Sequence, residues 1–149
     1  MNKLIATWFG IGYIKGGGTI AAAVTCGLLW LYWPTAIAQN SWYLLLWTVL
    51  ITLLGIYVGD KVETFWGKDS YRVVIDEVAG MMVTMLFIPH NLYLLIAGFV
   101  LFRFFDMVKP LFIRRLEALP GGTGVMMDDI LAGVYGNIIL QVMVILFHF

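Results

Sequence analysis

Residues 16–59 read GGGTIAAAVTCGLLWLYWPTAIAQNSWYLLLWTVLITLLGIYVG and contain no charged side chain. A membrane-spanning helix needs about 20 apolar residues, so this stretch is long enough for two. The polar segment that follows Trp33-Pro34 predicts the break between them, because proline and polar residues mark turns. We therefore predict two membrane-spanning helices, over Thr19–Ala38 and Trp42–Gly59.

Three more apolar segments predict helices over Val73–Pro89, Leu92–Val108 and Ile130–Phe147. The chain of 149 residues is 62% hydrophobic and 12% charged, with a mean hydropathy of +0.93, which is too apolar for a soluble domain. The residues before Thr19 lack the features of a cleaved secretory signal, so we interpret them as an interfacial segment. The predicted fold is all-α: one polytopic membrane domain over residues 1–149, with about five transmembrane helices and an N-terminal interfacial segment.

The basic residues predict the orientation of the chain in the membrane. All nine Lys and Arg residues precede the first predicted helix, lie between the second and third, or lie at the end of the fourth or beyond it, whereas loops 34–41 and 89–91 have none. Because cytoplasmic loops carry the positive excess, the N-terminus is expected in the cytoplasm and the C-terminus outside. The net charge of zero and the dispersed basic residues give no indication of nucleic-acid binding.

Five carboxylates occur in three separate segments that this topology brings to the cytoplasmic membrane face. The segments are VVIDEVAGMM with Asp76 and Glu77, FRFFDMVKP with Asp106, and LPGGTGVMMDDILAG with Asp128 and Asp129. Ionisable residues within or beside membrane spans are functional candidates. Clustered carboxylates suit a hard cation, and Mg²⁺ commonly binds one or two carboxylates together with substrate phosphate oxygens.

Candidate phosphate donors accompany the acidic residues. Arg103, Asp106 and Lys109 are spaced three apart and therefore share one helical face. Two glycine-rich stretches, residues 16–19 with Thr19 and residues 121–124 with Gly121, Gly122 and Gly124, precede predicted helices and could present backbone N–H groups to an anion.

Several alternatives remain open on the residues alone. Asp128 could be a helix N-cap, and Asp76 and Glu77 could form a structural ion pair with Arg72 or Arg103. A small cation or proton carrier or a structural subunit would also carry acids in membrane helices. His90 and His148 offer no obvious histidine site, and the motifs CxxxxxR, DxDxT and DGxxAR are missing. For an enzyme, direct attack by a metal-activated water remains.

The segments TWFGIGYIKGGGT, DSYRVVIDEVAGM, FRFFDMVKP and LPGGTGVMMDDILAG, in this order, resemble the motifs of the phosphatidylglycerophosphatase A family. The resemblance implies a multi-pass enzyme of the bacterial inner membrane that takes part in phosphatidylglycerol biosynthesis. It further implies Mg²⁺-dependent hydrolysis of phosphatidylglycerophosphate, a phospholipid substrate in the bilayer, at the cytoplasmic face. The chain departs from the family pattern at Gly17, Ser70 and Leu111-Phe112.

Matching the family motifs residue by residue gives an expected site. Asp76, Glu77, Asp106, Asp128 and Asp129 would be the catalytic and Mg²⁺-binding carboxylates, with Glu63 and Asp69 as further candidate ligands. Expected phosphate-binding residues are Arg103, Lys109, Thr19, Gly121, Gly122 and Gly124. The acyl chains would stay in the bilayer between the helices. The motifs leave open a different lipid phosphate as substrate, the number of metal ions, the general base and the oligomeric state.

Overall fold

The computed structural model describes residues 1–32, 41–67, 70–110 and 112–148, and within these ranges all regular secondary structure is helical. A short 3-10 turn, Ile11–Tyr13, separates the first two helices. The helices are α1 (Asn2–Ala6), α2 (Gly17–Tyr32), α3 (Ser41–Trp66), α4 (Ile75–Thr84), α5 (Leu92–Val108), α6 (Ile113–Glu117) and α7 (Gly121–Phe147).

Helix α4 lies at the centre of the bundle. Every residue of α4 except Glu77 is buried, and the helix packs against α2, α3, α5 and α7. At its crossing with α7, a Cβ atom on Gly133 would lie 2.4 Å from the carbonyl oxygen of Gly80, so glycine is what allows this close approach. The crossing brings the acidic start of α4 next to the acidic segment of α7.

The predicted helix over Leu92–Val108 is confirmed as α5. Its start is fixed by Asn91, whose side-chain oxygen accepts hydrogen bonds from the backbone N–H groups of Tyr93 at 2.8 Å and Leu94 at 3.4 Å. Its end is fixed by Lys109, which adopts a left-handed conformation with φ of 47° before Pro110. Local cap signals therefore determine both ends.

The predicted bounds of the two longest helices are wrong. The second predicted helix extends beyond Gly59 to Trp66, because polar residues continue a helix until a breaker, here Gly67 with φ of 79°. The last predicted helix begins at Gly121 and not at Ile130, so its glycines form the first turn. Asp60 caps that turn by accepting a hydrogen bond from the N–H of Gly122 at 2.7 Å.

The first and third predicted helices also differ from the structure. Helix α2 begins two residues before Thr19, and the predicted end at Ala38 lies outside the described residues. Helix α4 spans only Ile75–Thr84 within the predicted Val73–Pro89. Its ten residues are about 15 Å long, roughly half of the hydrocarbon thickness of a bilayer.

Polar side chains of α7 compensate for the early end of α4. The amide of Asn137 donates hydrogen bonds to the carbonyl oxygens of Thr84 at 2.9 Å and Leu86 at 2.8 Å, and the amide of Gln141 donates to Leu86 and Phe87 at 3.3 Å. Backbone carbonyls without helical partners are costly in an apolar environment. These two amides therefore stabilise the turn between α4 and α5.

Replacing Asn137 by leucine is expected to lower the free energy of unfolding by about 1–2 kcal/mol, because the carbonyl of Thr84 loses its donor and that of Leu86 keeps only the longer hydrogen bond from Gln141. Gln141→Leu is expected to cost less, since its hydrogen bonds are longer. Thermal unfolding in detergent would measure both, with the exposed neighbour Ile138→Leu as the control. Equal stability of Asn137→Leu and the control would contradict this account of the turn.

Two helices, Ser41–Trp66 and Gly121–Phe147, are long and apolar enough to cross a membrane. Large apolar side chains are exposed along both, including Leu53 and Tyr57 of α3 and Ile145 and Leu146 of α7. Such surfaces suit a lipid environment. The five spans and the cytoplasmic N-terminus remain predictions.

Candidate active site

A cavity of about 250 Å³ lies where the starts of α2 and α4, the end of α5 and the early turns of α7 meet. We call it the acidic cavity. It contains all five carboxylates singled out from the sequence, together with both predicted phosphate-binding cations. The side chains that line it include Thr19, Asp76, Glu77, Arg103, Asp106, Lys109, Asp128 and Asp129.

Three of the carboxylates form a compact group, the three-carboxylate cluster: Asp76, Glu77 and Asp129. One oxygen from each lies within 4.8 Å of the others. Asp76 and Asp129 are 8% and 4% exposed. Three anions at this separation repel each other strongly when buried, so the arrangement calls for bound protons or for compensating positive charge.

The cluster contains atoms that lack hydrogen-bond partners. Among the described residues, no partner is found for the buried Oε2 of Glu77, Oδ2 of Asp129 or Nε of Arg103. Buried polar groups are normally satisfied, and exceptions call for a ligand or ion. Two acceptors and one donor within one cavity are what a divalent cation and an anionic substrate would satisfy.

Arg103 provides positive charge at one side of the cluster. Its guanidinium hydrogen-bonds the carboxylate of Asp106 and lies 3.9 Å from that of Glu77. Asp106 is therefore oriented by Arg103 and lies outside the three-carboxylate cluster. The unpaired Nε leaves Arg103 with a donor for another oxygen.

Lys109 also lines the acidic cavity and pairs with Asp128. Its Nζ is 2.7 Å from Oδ2 of Asp128 and 3.3 Å from Oε1 of Glu117. Burial alone would lower the pKa of Lys109, but its hydrogen bond to Asp128 and the charges of Asp128 and Glu117 outweigh burial and raise the pKa. The left-handed backbone of Lys109 turns the chain at this point, immediately after α5. Of the adjacent pair, Asp128 therefore pairs with Lys109, and Asp129 belongs to the three-carboxylate cluster.

The start of α2 forms one wall of the acidic cavity. Gly16, Gly17, Gly18 and Thr19 line it, as the glycine-rich motif predicts. A Cβ atom on Gly18 would lie only 1.9 Å from Oε1 of Glu77, so this glycine leaves the space that the carboxylate occupies. The positive end of the α2 dipole favours anions in the same place.

The second glycine-rich stretch has a different role from the predicted one. Gly121, Gly122 and Gly124 do not line the acidic cavity. The N–H of Gly122 binds Asp60, and Cβ atoms on Gly122 or Gly124 would lie 2.3 Å from backbone oxygens. These glycines therefore allow close helix packing. Asp128 is not the N-cap of α7, because that helix begins at Gly121 and its N-cap is Pro120.

The two further candidate ligands are not part of the described cluster. Glu63 lies on α3 near Gly121, away from the cavity lining, and Asp69 lies outside the described residues. Ser70 and Tyr71 line the cavity but were not predicted to do so. The available signal was their position in the motif DSYRVVIDEVAGM, the same motif that contains the acidic pair.

A family model described as Phosphatidylglycerophosphatase A matches residues 4–144. A protein of Bacteroides thetaiotaomicron, provisionally named phosphatidylinositol-3-phosphatase, is 42% identical over 144 residues, which cover 93% of this chain and 91% of that protein.

Two relatives are named Phosphatidylglycerophosphatase A. The one from Haemophilus influenzae is 34% identical over 148 residues, covering 92% of this chain and 85% of its own. The one from Escherichia coli is 38% identical over 105 residues, covering 62% of this chain and 61% of its own. No solved structure matches the chain. Because the family match extends over nearly the whole sequence and includes every segment that lines the acidic cavity, the chain belongs to the phosphatidylglycerophosphatase A family and is a phosphoric monoester hydrolase.

Proposed function

We propose that this enzyme hydrolyses phosphatidylglycerophosphate to phosphatidylglycerol and inorganic phosphate, with Mg²⁺, at the cytoplasmic face of the bacterial inner membrane. The observation that carries the proposal is the three-carboxylate cluster with its unpaired oxygens beside an arginine, at one end of an apolar helical bundle. The family name and the names of two relatives support the choice of lipid. Membership in a hydrolase family sets aside the ion-carrier and structural-subunit alternatives.

Asp76, Glu77 and Asp129 fit a divalent cation. They offer hard oxygen ligands within 4.8 Å of each other, and two of these residues have buried oxygens without partners. Mg²⁺ bound there would supply positive charge to the phosphate and lower the pKa of a bound water. The same donor set is poor for soft metals, since no Cys or His contributes to the cluster.

The residues around the cluster have separate roles in the proposal. Arg103 donates to a phosphate oxygen through its unpaired Nε, and the start of α2 with Thr19 presents donors and a positive dipole end to the same group. Lys109 holds Asp128 in place, so we propose that it positions this carboxylate as well as adding positive charge. Asp106 and Asp128, each fixed by a cation, are the candidates to accept the proton of the attacking water.

The proposed topology follows from the apolar surface and the basic residues. In this topology α3 and α7 cross the bilayer, and the ten residues of α4 alone are too short to do so. The cavity contains Arg103 and Lys109, so the side with the positive excess is the side of the site. The lipid headgroup therefore reaches the carboxylates from the cytoplasmic face.

A second lipid is favoured by one observation. The relative with 42% identity carries the name of a phosphatidylinositol-3-phosphatase. Both lipids present a phosphomonoester on a polyol headgroup, so the cluster would serve either. Hydrolysis of phosphatidylinositol 3-phosphate is our second candidate activity.

The proposal predicts that purified protein in detergent micelles releases phosphate from phosphatidylglycerophosphate with Mg²⁺ and loses this activity in EDTA. Turnover should return when excess Mg²⁺ is added after EDTA, because removal of the ion leaves the chain intact. Phosphatidylinositol 3-phosphate is assayed in parallel, and the larger kcat/KM identifies the preferred headgroup. Full activity in EDTA would contradict the metal assignment, and a folded protein that hydrolyses neither lipid would contradict the function.

A further inference from the structure

An apolar groove of about 550 Å³ lies between α2, α3 and α4. Its inner wall is formed by Val78 and Met82 of α4 and by Met85, which follows the end of that helix, all buried. Its rim includes Leu28 of α2 and Trp47 of α3, which are 39% and 57% exposed. The groove is therefore closed by the bundle on one side and open to the surroundings on the other.

The groove offers almost nothing to a polar ligand. The hydroxyl of Thr25, one of its few polar groups, donates a hydrogen bond to the carbonyl oxygen of Ala21 at 2.8 Å. This side chain is thereby satisfied within its own helix. An occupant that fits the groove must be apolar.

The groove and the acidic cavity are lined by neighbouring residues of the same two helices. On α4, Glu77 lines the cavity and the next residue, Val78, lines the groove. On α2, Gly17, Gly18 and Thr19 line the cavity, and Thr25 lines the groove less than two turns later. A polar, anion-accepting compartment thus adjoins an apolar one, which is the pattern of a phospholipid.

The dimensions favour an acyl chain as the occupant. On α3 the lining extends from Tyr43 to Ile51, about 12 Å at 1.5 Å per residue, and one leaflet of a bilayer has a hydrocarbon depth of about 15 Å.

We propose that this groove binds one acyl chain of the phospholipid substrate while its phosphorylated headgroup lies in the acidic cavity. The inference rests on the proposed function and adds to it the place where the lipid enters and is held. The chain enters from the bilayer over the exposed rim at Leu28 and Trp47. Binding of the chain aligns the phosphomonoester with the three-carboxylate cluster.

The test places a tryptophan in the groove and compares two substrates. Leu28→Trp fills the rim, and Leu54→Trp is the matched control, because Leu54 is 41% exposed on α3 but does not line the groove. Each variant is assayed on the dioleoyl and the dihexanoyl form of phosphatidylglycerophosphate. The short chains of the dihexanoyl form depend little on the groove.

Leu28→Trp is expected to lower kcat/KM for the dioleoyl lipid about tenfold, the effect of burying about two fewer methylene groups, with most of the change in KM. The dihexanoyl lipid should be hydrolysed at the unmodified rate, and the control should leave both rates unchanged. Equal losses on both lipids, or no loss on either, would overturn the groove assignment. Failure of the unmodified protein on both lipids would instead contradict the proposed function.

A measurement without turnover separates the groove from catalysis. A non-hydrolysable phosphonate analogue of dioleoyl phosphatidylglycerophosphate, with a diazirine in one acyl chain, is photolysed on the unmodified protein with Mg²⁺, and a diazirine phosphatidylcholine is the control lipid. Labelling is expected in residues 25–32 and 78–85, above that of the outer face of α3, for the phosphonate lipid only. The same labelling by both lipids would show bulk lipid in the groove and would overturn the proposal.

Discussion

Asp129→Asn is expected to reduce phosphate release at least about 100-fold while the protein stays folded. Mutating a residue that only orients a metal ligand typically lowers metal affinity or activity about 10–100-fold. Asp129 is itself one of the three clustered carboxylates, so its loss should cost more. Its Oδ2 has no partner among the described residues, so an amide there removes an ion-binding oxygen without breaking a hydrogen bond of that atom.

Although Asp129→Asn should lower activity, it is not expected to lower stability. Without metal, the buried cluster holds three carboxylates within 4.8 Å, and replacing one of them by a neutral amide of equal size relieves repulsion. The melting temperature in EDTA should therefore be equal or higher for Asp129→Asn. Added Mg²⁺ should raise the melting temperature of the unmodified protein, since a ligand of the folded state stabilises it, and should do so much less in the variant.

Glu63→Gln is the matched control, because Glu63 is acidic and near in sequence to the site but does not line the acidic cavity. It should keep the activity and the Mg²⁺ response of the unmodified protein. An active Asp129→Asn enzyme would contradict the cluster as the metal site. A variant that unfolds would show that Asp129 stabilises the fold, as a structural ion pair would.

The acidic motifs were predictable from sequence because a carboxylate in an apolar context is costly and therefore informative. Asp76 and Glu77 of one segment and Asp129 of a distant one lie together as expected. The sequence did not indicate that Asp128 pairs with Lys109 whereas Asp129 belongs to the cluster. Adjacent positions on a helix point about 100° apart, and only the path of α5 and the left-handed turn at Lys109 decide which of the two receives the cation.

The start of α7 was missed for a related reason. Four residues with three glycines, GGTG at 121–124, favour a loop by local propensity, yet they form a helical turn. Packing overrides propensity here: Gly122 faces Gly59 so closely that a Cβ atom would lie 3.0 Å from its Cα, and Asp60 binds the first turn. By contrast, α5 was predictable because its cap residues are local in sequence.

Gly18→Ala is expected to lower activity about 100-fold, the cost of misplacing a catalytic group by about 1 Å. The new Cβ would lie 1.9 Å from Oε1 and 2.8 Å from Cδ of Glu77. Because the end of a glutamate side chain is flexible, Glu77 can move aside at small cost to the fold. The carboxylate of Glu77, with its partnerless Oε2, then leaves its position beside Asp76 and Asp129.

The matched control for this substitution is on the same helix. Gly27 of α2 has nothing within 4 Å of its Cβ position, so Gly27→Ala gains helix propensity of up to about 1 kcal/mol without touching the site. Both variants should therefore melt at or above the temperature of the unmodified protein, and only Gly18→Ala should lose turnover and weaken its Mg²⁺-dependent stabilisation. If Gly18→Ala kept full activity, Glu77 would not need its observed position. If Gly18→Ala lost both stability and activity, the close contact between Gly18 and Glu77 would be needed for packing of the fold. Loss of turnover alone identifies Gly18 as the residue that positions Glu77 in the cluster.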